Sequence, residues 1–280
     1  ITDEMVADKP MFEKVLGDFL EIDEIPSIRL QTTFRQGNDS YIISLATSLN
    51  DGRLPSDFKE RKNDYSYIEG GADKIAAAIP QIFTVAIDKG FSSSDIQILA
   101  PMYRGEAGID NLNQIMQECL NPRKPDNIEF RYLENSCFRV GDKILHLVND
   151  INKGVSNGDV GYIRDLIPAK DSESKQDEIV IDFSGVEVSY SRSDWDRITL
   201  AYAMSIHKSQ GSEFPVVIMP ITNQAYKMLQ RNLVYTGVTR AKQKLILLGS
   251  EMAYQKAVAT EGSKRNTYLK ELFQIEYSTL

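Results

Sequence analysis

Two segments of the chain concentrate groups that could handle phosphate. The first reads Ser205-Ile206-His207-Lys208-Ser209-Gln210-Gly211-Ser212-Glu213, and the second, Asn232 to Ala241, presents Tyr235, Thr236, Thr239 and Arg240. Lys208 and Arg240 are fixed cations, and Ser205, His207, Ser209 and Gln210 are hydrogen-bonding groups. Gly211 permits a backbone geometry that a side chain would block. That inventory suits phosphate oxygens. Taken singly, each residue has a plainer reading, an arginine as a solvated helix end and a histidine as a structural group. The order of the whole string is what points to chemistry.

The elements that must position these groups follow from the apolar pattern. A buried strand is expected from Leu200 to Met204, then the polar loop, then a strand from Val216 to Met219. A polar loop at a strand end is where open α/β sheets place ligand groups. The second segment follows a helical stretch and precedes the strand Leu245 to Leu248, so both segments are expected to form one site on one sheet.

Upstream, Phe12 to Leu20 has helical spacing, and Ile28 to Leu30 leads into Thr32-Thr33-Phe34-Arg35-Gln36-Gly37. Asn38 or Asp39 is a reasonable N-cap for a helix carrying Ile42, Leu45, Ala46 and Leu49, which places Arg35 just before a helix N-terminus. Residues 51 to 71 read as a polar loop. Ala72 to Ile87 is helical, with Pro80 marking a kink or a break. Ile96 to Ala100 reads as a buried parallel strand, Pro101 to Gly108 as the loop at its end, and Asp110 as the cap of a helix carrying Leu112, Ile115, Met116 and Cys119.

The period changes after about residue 135. Phe138 to Val148, Asp159 to Ile167, Glu178 to Phe183 and Val186 to Tyr190 alternate as short strands, with turn signals at Asn152-Lys153-Gly154, Asn157-Gly158-Asp159 and Ser184-Gly185. The pattern predicts an α/β fold with a three-layer arrangement and a mostly parallel sheet, interrupted by a small β-barrel that folds as a separate insert. The expected division is residues 1–135, the barrel at 136–194, and 195–280.

Composition bounds the function. The chain has 280 residues, 42% hydrophobic and 26% charged, enough for a sizeable core and one or two domains. Cys119 and Cys137 without a CxxC pair exclude a disulfide framework and argue against a zinc site, and both are expected to be buried thiols. No metal ligands are assigned. No apolar run approaches about 18 residues, and ITDEMVADKP lacks a signal-peptide pattern, so no membrane partner and a cytoplasmic location are expected. A net charge of −8 and a pI of about 5.0 argue against an indiscriminate polyanion binder. Any nucleic-acid contact must be local. The barrel segment from Cys137 to Asp194, with seven basic residues against eleven acidic ones, is no basic patch.

HKSQGSEF followed by YTGVTRAKQKL resembles motifs V and VI of superfamily 1 helicases, the group containing UvrD-like and RecD-like enzymes. LxxxFRQ, ending in Arg35 and Gln36, looks like motif IV. LAPMYRGEAGIDNLN resembles the stretch after the corresponding strand in RecD-like helicases. UvrD-like enzymes carry a large helical insertion before motif V and RecD-like enzymes a small SH3-like barrel, so the β-patterned insert selects the RecD-like (RecD/TraA, superfamily 1B) branch.

The resemblance implies the second RecA-like motor domain of an ATP-dependent helicase that moves 5′ to 3′ on single-stranded DNA. It implies Arg35 and Arg240 as catalytic arginine fingers at the γ-phosphate of ATP, with Gln36, Gly211 and Glu213 also at the nucleotide. Tyr103, Arg104, Ser205, His207 and the barrel residue Asn157 are implied on the DNA side. Ser205 stands where the family often has Thr, which keeps the hydroxyl. No glycine is followed by lysine, so there is no G-x-x-x-x-G-K-[ST] phosphate loop, and no apolar strand ends in the Asp-Glu pair that would hold Mg2+. The expectation is therefore a C-terminal portion, inactive alone, whose phosphate loop and Mg2+ ligands belong to an N-terminal RecA-like domain of the same parent. Family partners include exodeoxyribonuclease V type nuclease-helicase complexes, with roles in DNA repair and recombination. The rival reading is a non-catalytic nucleic-acid or protein-binding module with a helicase-like fold.

Overall fold

The strand Phe214–Ile221, FPVVIMPI, is buried along nearly its whole length, as befits a parallel strand covered on both faces. It is the middle strand of the parallel sheet in a computed structural model of the chain, which describes residues 26, 28, 40–125, 127–133 and 136–262. Arg35 and Gln36, the helix expected at Phe12 to Leu20, the segment from Leu30 to Gly37 and the caps proposed at Asn38 or Asp39 lie outside the described residues.

In chain order the elements are α1 (Tyr41–Asn50), β1 (Tyr65–Glu69), α2 (Ala72–Asp88), β2 (Ile96–Ala100), α3 (Ile109–Leu120), β3 (Glu129–Leu133), β4 (Ser136–Arg139), β5 (Lys143–His146), β6 (Val160–Ile167), β7 (Glu178–Phe183), β8 (Val186–Ser191), β9 (Ile198–Leu200), β10 (Ala203–Ser205), β11 (Phe214–Ile221), α4 (Arg231–Val238), β12 (Ala241–Gly249) and α5 (Glu251–Ala259). An all-parallel sheet has the order β1-β12-β11-β2-β10. Successive strand residues point to opposite faces. Val216 and Ile218 of β11 pack with α2 and α3 through Ile75, Ile79, Leu112 and Met116. Val217, Met219 and Ile221 pack with α1, α4 and α5 through Ile42, Val234 and Tyr254. The result is the three-layer α/β arrangement with a mostly parallel sheet that the pattern predicts.

The second sheet is antiparallel, in the order β8-β7-β6-β5-β9. The expected strand from Phe138 to Val148 is two strands, because Gly141 at φ +92° turns the chain between β4 and β5. The strand expected from Leu200 to Met204 is also divided. Leu200 pairs with Ile144 of the barrel, whereas Ala203 pairs with Ile98 of the parallel sheet. The core of the barrel, expected as a separately folded insert, is continuous with that of the parallel sheet. Ile144, Ile179, Trp195 and Ile198 share one continuous cluster with Ile98, Leu112 and Val216.

A buried polar seam joins the two sheets. Asn113 and Gln117 stand at i and i+4 on α3, hence on one face, and Asn121 caps the helix just beyond them. Asn113 donates to the carbonyls of Leu200 and Ala203 (3.2 and 3.0 Å) and accepts from the Ala203 amide (2.8 Å), clamping the strand break. Asp142 is fully buried and accepts from Gln117, Asn121, the Arg139 amide and Tyr202 at 2.6–3.0 Å. Burial pushes its carboxyl up, against these donors, which favour the ionised form.

Other expectations are corrected. The polar stretch 51–71 contains β1, an edge strand in register with β12, Tyr65 opposite Leu245. Pro80 does not break α2, which is one helix from Ala72 to Asp88 with Ile75, Ile79, Phe83 and Ala86 buried on either side of the proline. Helix packing of that kind offsets the roughly 3 kcal/mol a mid-helix proline costs. The cap of α3 is Gly108, and Asp110 lies in the first turn. Cys119 is exposed, since the inward face of α3 is set by Leu112, Asn113, Met116 and Gln117, and Cys137 is half-buried. No described helix is long and apolar enough to cross a membrane.

Candidate functional site

The candidate residues fall into two groups at opposite edges of the parallel sheet. At the carboxyl edge, Ser205 ends β10 and is in register with Ala100, the last residue of β2. The loop after β2 carries Tyr103 and Arg104, both exposed. Gly108 closes that loop: a Cβ there would lie 2.5 Å from the Tyr103 and Arg104 carbonyls, so only glycine fits without moving them. Its φ of −84° is ordinary, and the constraint is steric.

Ser205 is buried, and its hydroxyl accepts the Lys208 amide at 3.2 Å, which starts the turn through His207, an exposed residue. Ser209 is buried, its hydroxyl donating to the Ile206 carbonyl at 2.8 Å, so the loop has a fixed inner side and a polar outer side. From the barrel, Asn157 approaches this turn, its side-chain oxygen accepting the Lys208 ammonium at 2.7 Å. Tyr103, Arg104, Ser205, His207 and Asn157 thus stand around one end of the sheet.

The loop 206–213 then crosses the sheet to the opposite edge. Arg240 precedes β12, eight residues before Leu248, or roughly 25 Å along an extended strand. Its guanidinium donates to the Ser212 carbonyl and to the Thr236 carbonyl, each at 3.1 Å, and also reaches the Thr239 hydroxyl at 3.1 Å. The Phe214 amide donates to the Arg240 carbonyl at 3.0 Å. The two segments singled out by sequence therefore meet here, with Gly211, Ser212 and Glu213 beside Arg240. Gly211 has φ +88°, the left-handed geometry that favours glycine. Glu213 is paired with Lys242 at 2.8 Å.

A cation held by backbone carbonyls at a partly buried strand entrance can meet anionic oxygen without reorganising. Arg240, the Gly211 turn and the Glu213–Lys242 pair stand together at this strand entrance. Among the described residues no group of three His, Cys, Asp or Glu side chains could hold a metal ion. Sequence reasoning missed the seam of Asn113, Gln117, Asn121 and Asp142. Its signal was polar residues recurring every four positions on the same helix as Leu112 and Met116.

Residues 112–183 match the SH3 domain of ATP-dependent RecD-like DNA helicases, and residues 200–248 match the UvrD-like helicase C-terminal domain. The chain is similar to the ATP-dependent RecD2 DNA helicase of Deinococcus radiodurans, 31% identical over 248 residues, covering 88% of this chain and 32% of that protein. It is also similar to the RecBCD enzyme subunit RecD of Haemophilus influenzae, 30% identical over 192 residues, covering 69% of this chain and 27% of that protein. The chain thus spans about a third or less of the length of these curated relatives. Among solved structures, the Pif1 helicase from Candida albicans aligns with a TM-score of 0.48 at 14% identity, covering 91% of this chain and 61% of that one.

Proposed function

The chain belongs to the RecD-like helicases, and on that premise we propose that it forms the second motor domain of an ATP-dependent DNA helicase moving 5′ to 3′ on single-stranded DNA. The carrying observation is the junction at Arg240. Its guanidinium is tied to Ser212 and Thr236, which holds the two motif strings together.

In this reading Arg240 and Arg35 meet the γ-phosphate, where developing charge makes a fixed cation most effective in the transition state. Gln36, Gly211 and Glu213 complete the nucleotide side. The phosphate loop and the Mg2+ carboxylates come from another RecA-like domain, so the 280 residues alone hydrolyse ATP negligibly. At the other edge, Tyr103 stacks on a base, and Arg104, Ser205 and His207 hold the DNA backbone. Asn157 adds a barrel contact. The loop 206–213 joins the two edges, which gives hydrolysis a route to the grip on DNA. The motor portion is proposed to occupy residues 1–135 and 195–280, with the SH3-like barrel at 136–194 and β9, Ile198–Leu200, completing the barrel's sheet, in a cytoplasmic protein that works alone or in a nuclease-helicase complex.

The test is strand displacement by the longer protein on duplexes with a 5′ or a 3′ single-stranded tail. Unwinding of the 5′-tailed substrate that requires ATP and Mg2+ is expected, and equal or preferential unwinding of the 3′-tailed substrate would sink the assignment.

A further inference from the structure

Away from both groups, a cavity of about 410 Å3 opens between α2 and the amino-terminal halves of β1, β11 and β12. Its floor is apolar, with Ala78, Ile82, Phe91 and Ile246, and its rim includes Val85 and Ile68, 51% and 39% exposed. Exposed apolar side chains around a concavity of this size mark a binding surface more often than a solvated face. The sheet order ends at β1, so the cavity lies along the outer edge of the sheet.

Charge is concentrated at the same place. On a chain of net charge −8, Arg61, Lys62, Lys89 and Lys244 line the cavity against a single acid, Asp64. Asp64 is already engaged, accepting the Ser40 hydroxyl at 2.6 Å. Lys62 is held by Asp57 and Glu60, and the Lys244 ammonium by the Asn63 carbonyl. Arg61 and Lys89 are exposed and make no ion pair with the described residues.

We propose that this cavity docks an acidic peptide segment of a partner protein, with one bulky apolar side chain on the floor and flanking carboxylates meeting Arg61 and Lys89. Cations over an apolar pocket complement carboxylates around an apolar anchor, and Ser66 and Gln81 on the wall suit peptide amides. A nucleobase is a poorer occupant, because its hydrogen-bonding edge would be buried against Ile82, Phe91 and Ile246. The inference does not depend on the helicase reading.

The experiment is fluorescence anisotropy of a labelled peptide, Gly-Asp-Glu-Phe-Glu-Asp-Gly, titrated with the 280-residue chain. Binding is expected to weaken about tenfold or more when the peptide's Phe becomes Ala, as for a buried anchor. A similar loss is expected in the Arg61→Glu/Lys89→Glu double variant and on raising salt from about 50 to about 300 mM. Val85→Asp, on an exposed rim position, should weaken binding with an unchanged thermal midpoint. No binding, equal binding of a charge-reversed Lys/Arg peptide, or indifference to the double variant would overturn the proposal. Displacement of the peptide by oligothymidine would overturn it too, because the cations would then serve a nucleic-acid track.

Discussion

The Lys208 ammonium meets the Asn157 side-chain oxygen at 2.7 Å across 51 residues of chain, joining the barrel to the loop that leaves β10. Asn157 is itself held, its backbone N–H donating to the Asn149 side-chain oxygen at 2.9 Å. The barrel turn and the loop 206–213 are therefore one contact region rather than two.

An exposed pair of this kind contributes no more than about 1 kcal/mol to stability. Asn157→Ala in the longer helicase should leave the thermal midpoint and DNA-stimulated ATP turnover nearly unchanged while lowering unwinding several-fold. Normal unwinding by a folded Asn157→Ala protein would exclude a coupling role for this contact.

On the proposed reading, Arg240 serves the chemistry of ATP more than affinity for DNA. Arg240→Ala should reduce ATP turnover by roughly 100-fold or more, by analogy with arginine fingers, with little change in the dissociation constant for single-stranded DNA. Turnover at saturating DNA and equilibrium DNA binding separate the two effects. Loss of DNA binding with normal turnover would reverse the assignment.

The parallel sheet was legible where its strands are long apolar runs, as at Val216 to Met219 and Leu245 to Leu248, because burial on both faces leaves no room for polar residues. β1 was not legible. Its sequence, YSYIE, is polar because it is an edge strand with one neighbour, and its burial falls away toward Glu69. The two strings were legible as family motifs within the matched residues 200–248, but their separation to opposite edges was not, since it depends on the register of β10 with β2 and β11 with β12. The continuity of the core through the strand break at Ala201 and Tyr202 was hidden for a similar reason: Gln97 on β2 donates to both carbonyls there, a contact 104 residues apart in sequence.

Asp142 tests that continuity. Asp142→Ala removes the acceptor shared by Gln117, Asn121, the Arg139 amide and Tyr202 from a fully buried position, and should cost roughly 3 kcal/mol or more. Because the barrel and the parallel sheet share one core, denaturant unfolding followed by Trp195 fluorescence and by far-ultraviolet circular dichroism should give one coincident transition, shifted to lower denaturant. Separate transitions would mean that the barrel folds by itself.

Lys143 gives a pH signature at the same seam. It is 4% exposed and donates to the Ile96 carbonyl at 3.2 Å, and burial pushes its ammonium down to about 8 from an ordinary 10.5. Between those two values the unfolded chain binds a proton that the native protein does not, so the native state gains stability as pH rises from about 8 toward 10.5. Below pH 8 the buried charge is a standing cost of a few kcal/mol at most. Lys143→Met keeps the stem's volume and removes the charge, while giving up one hydrogen bond to Ile96 worth about 1 kcal/mol. The variant should be more stable than the parent at pH 7 by about 1–2 kcal/mol, and the advantage should shrink steadily as the pH approaches 10. Urea unfolding of both proteins at intervals over that range measures the difference. A constant difference across the range, or a variant less stable at pH 7, would show that the Lys143 ammonium is accommodated in the seam without a burial cost.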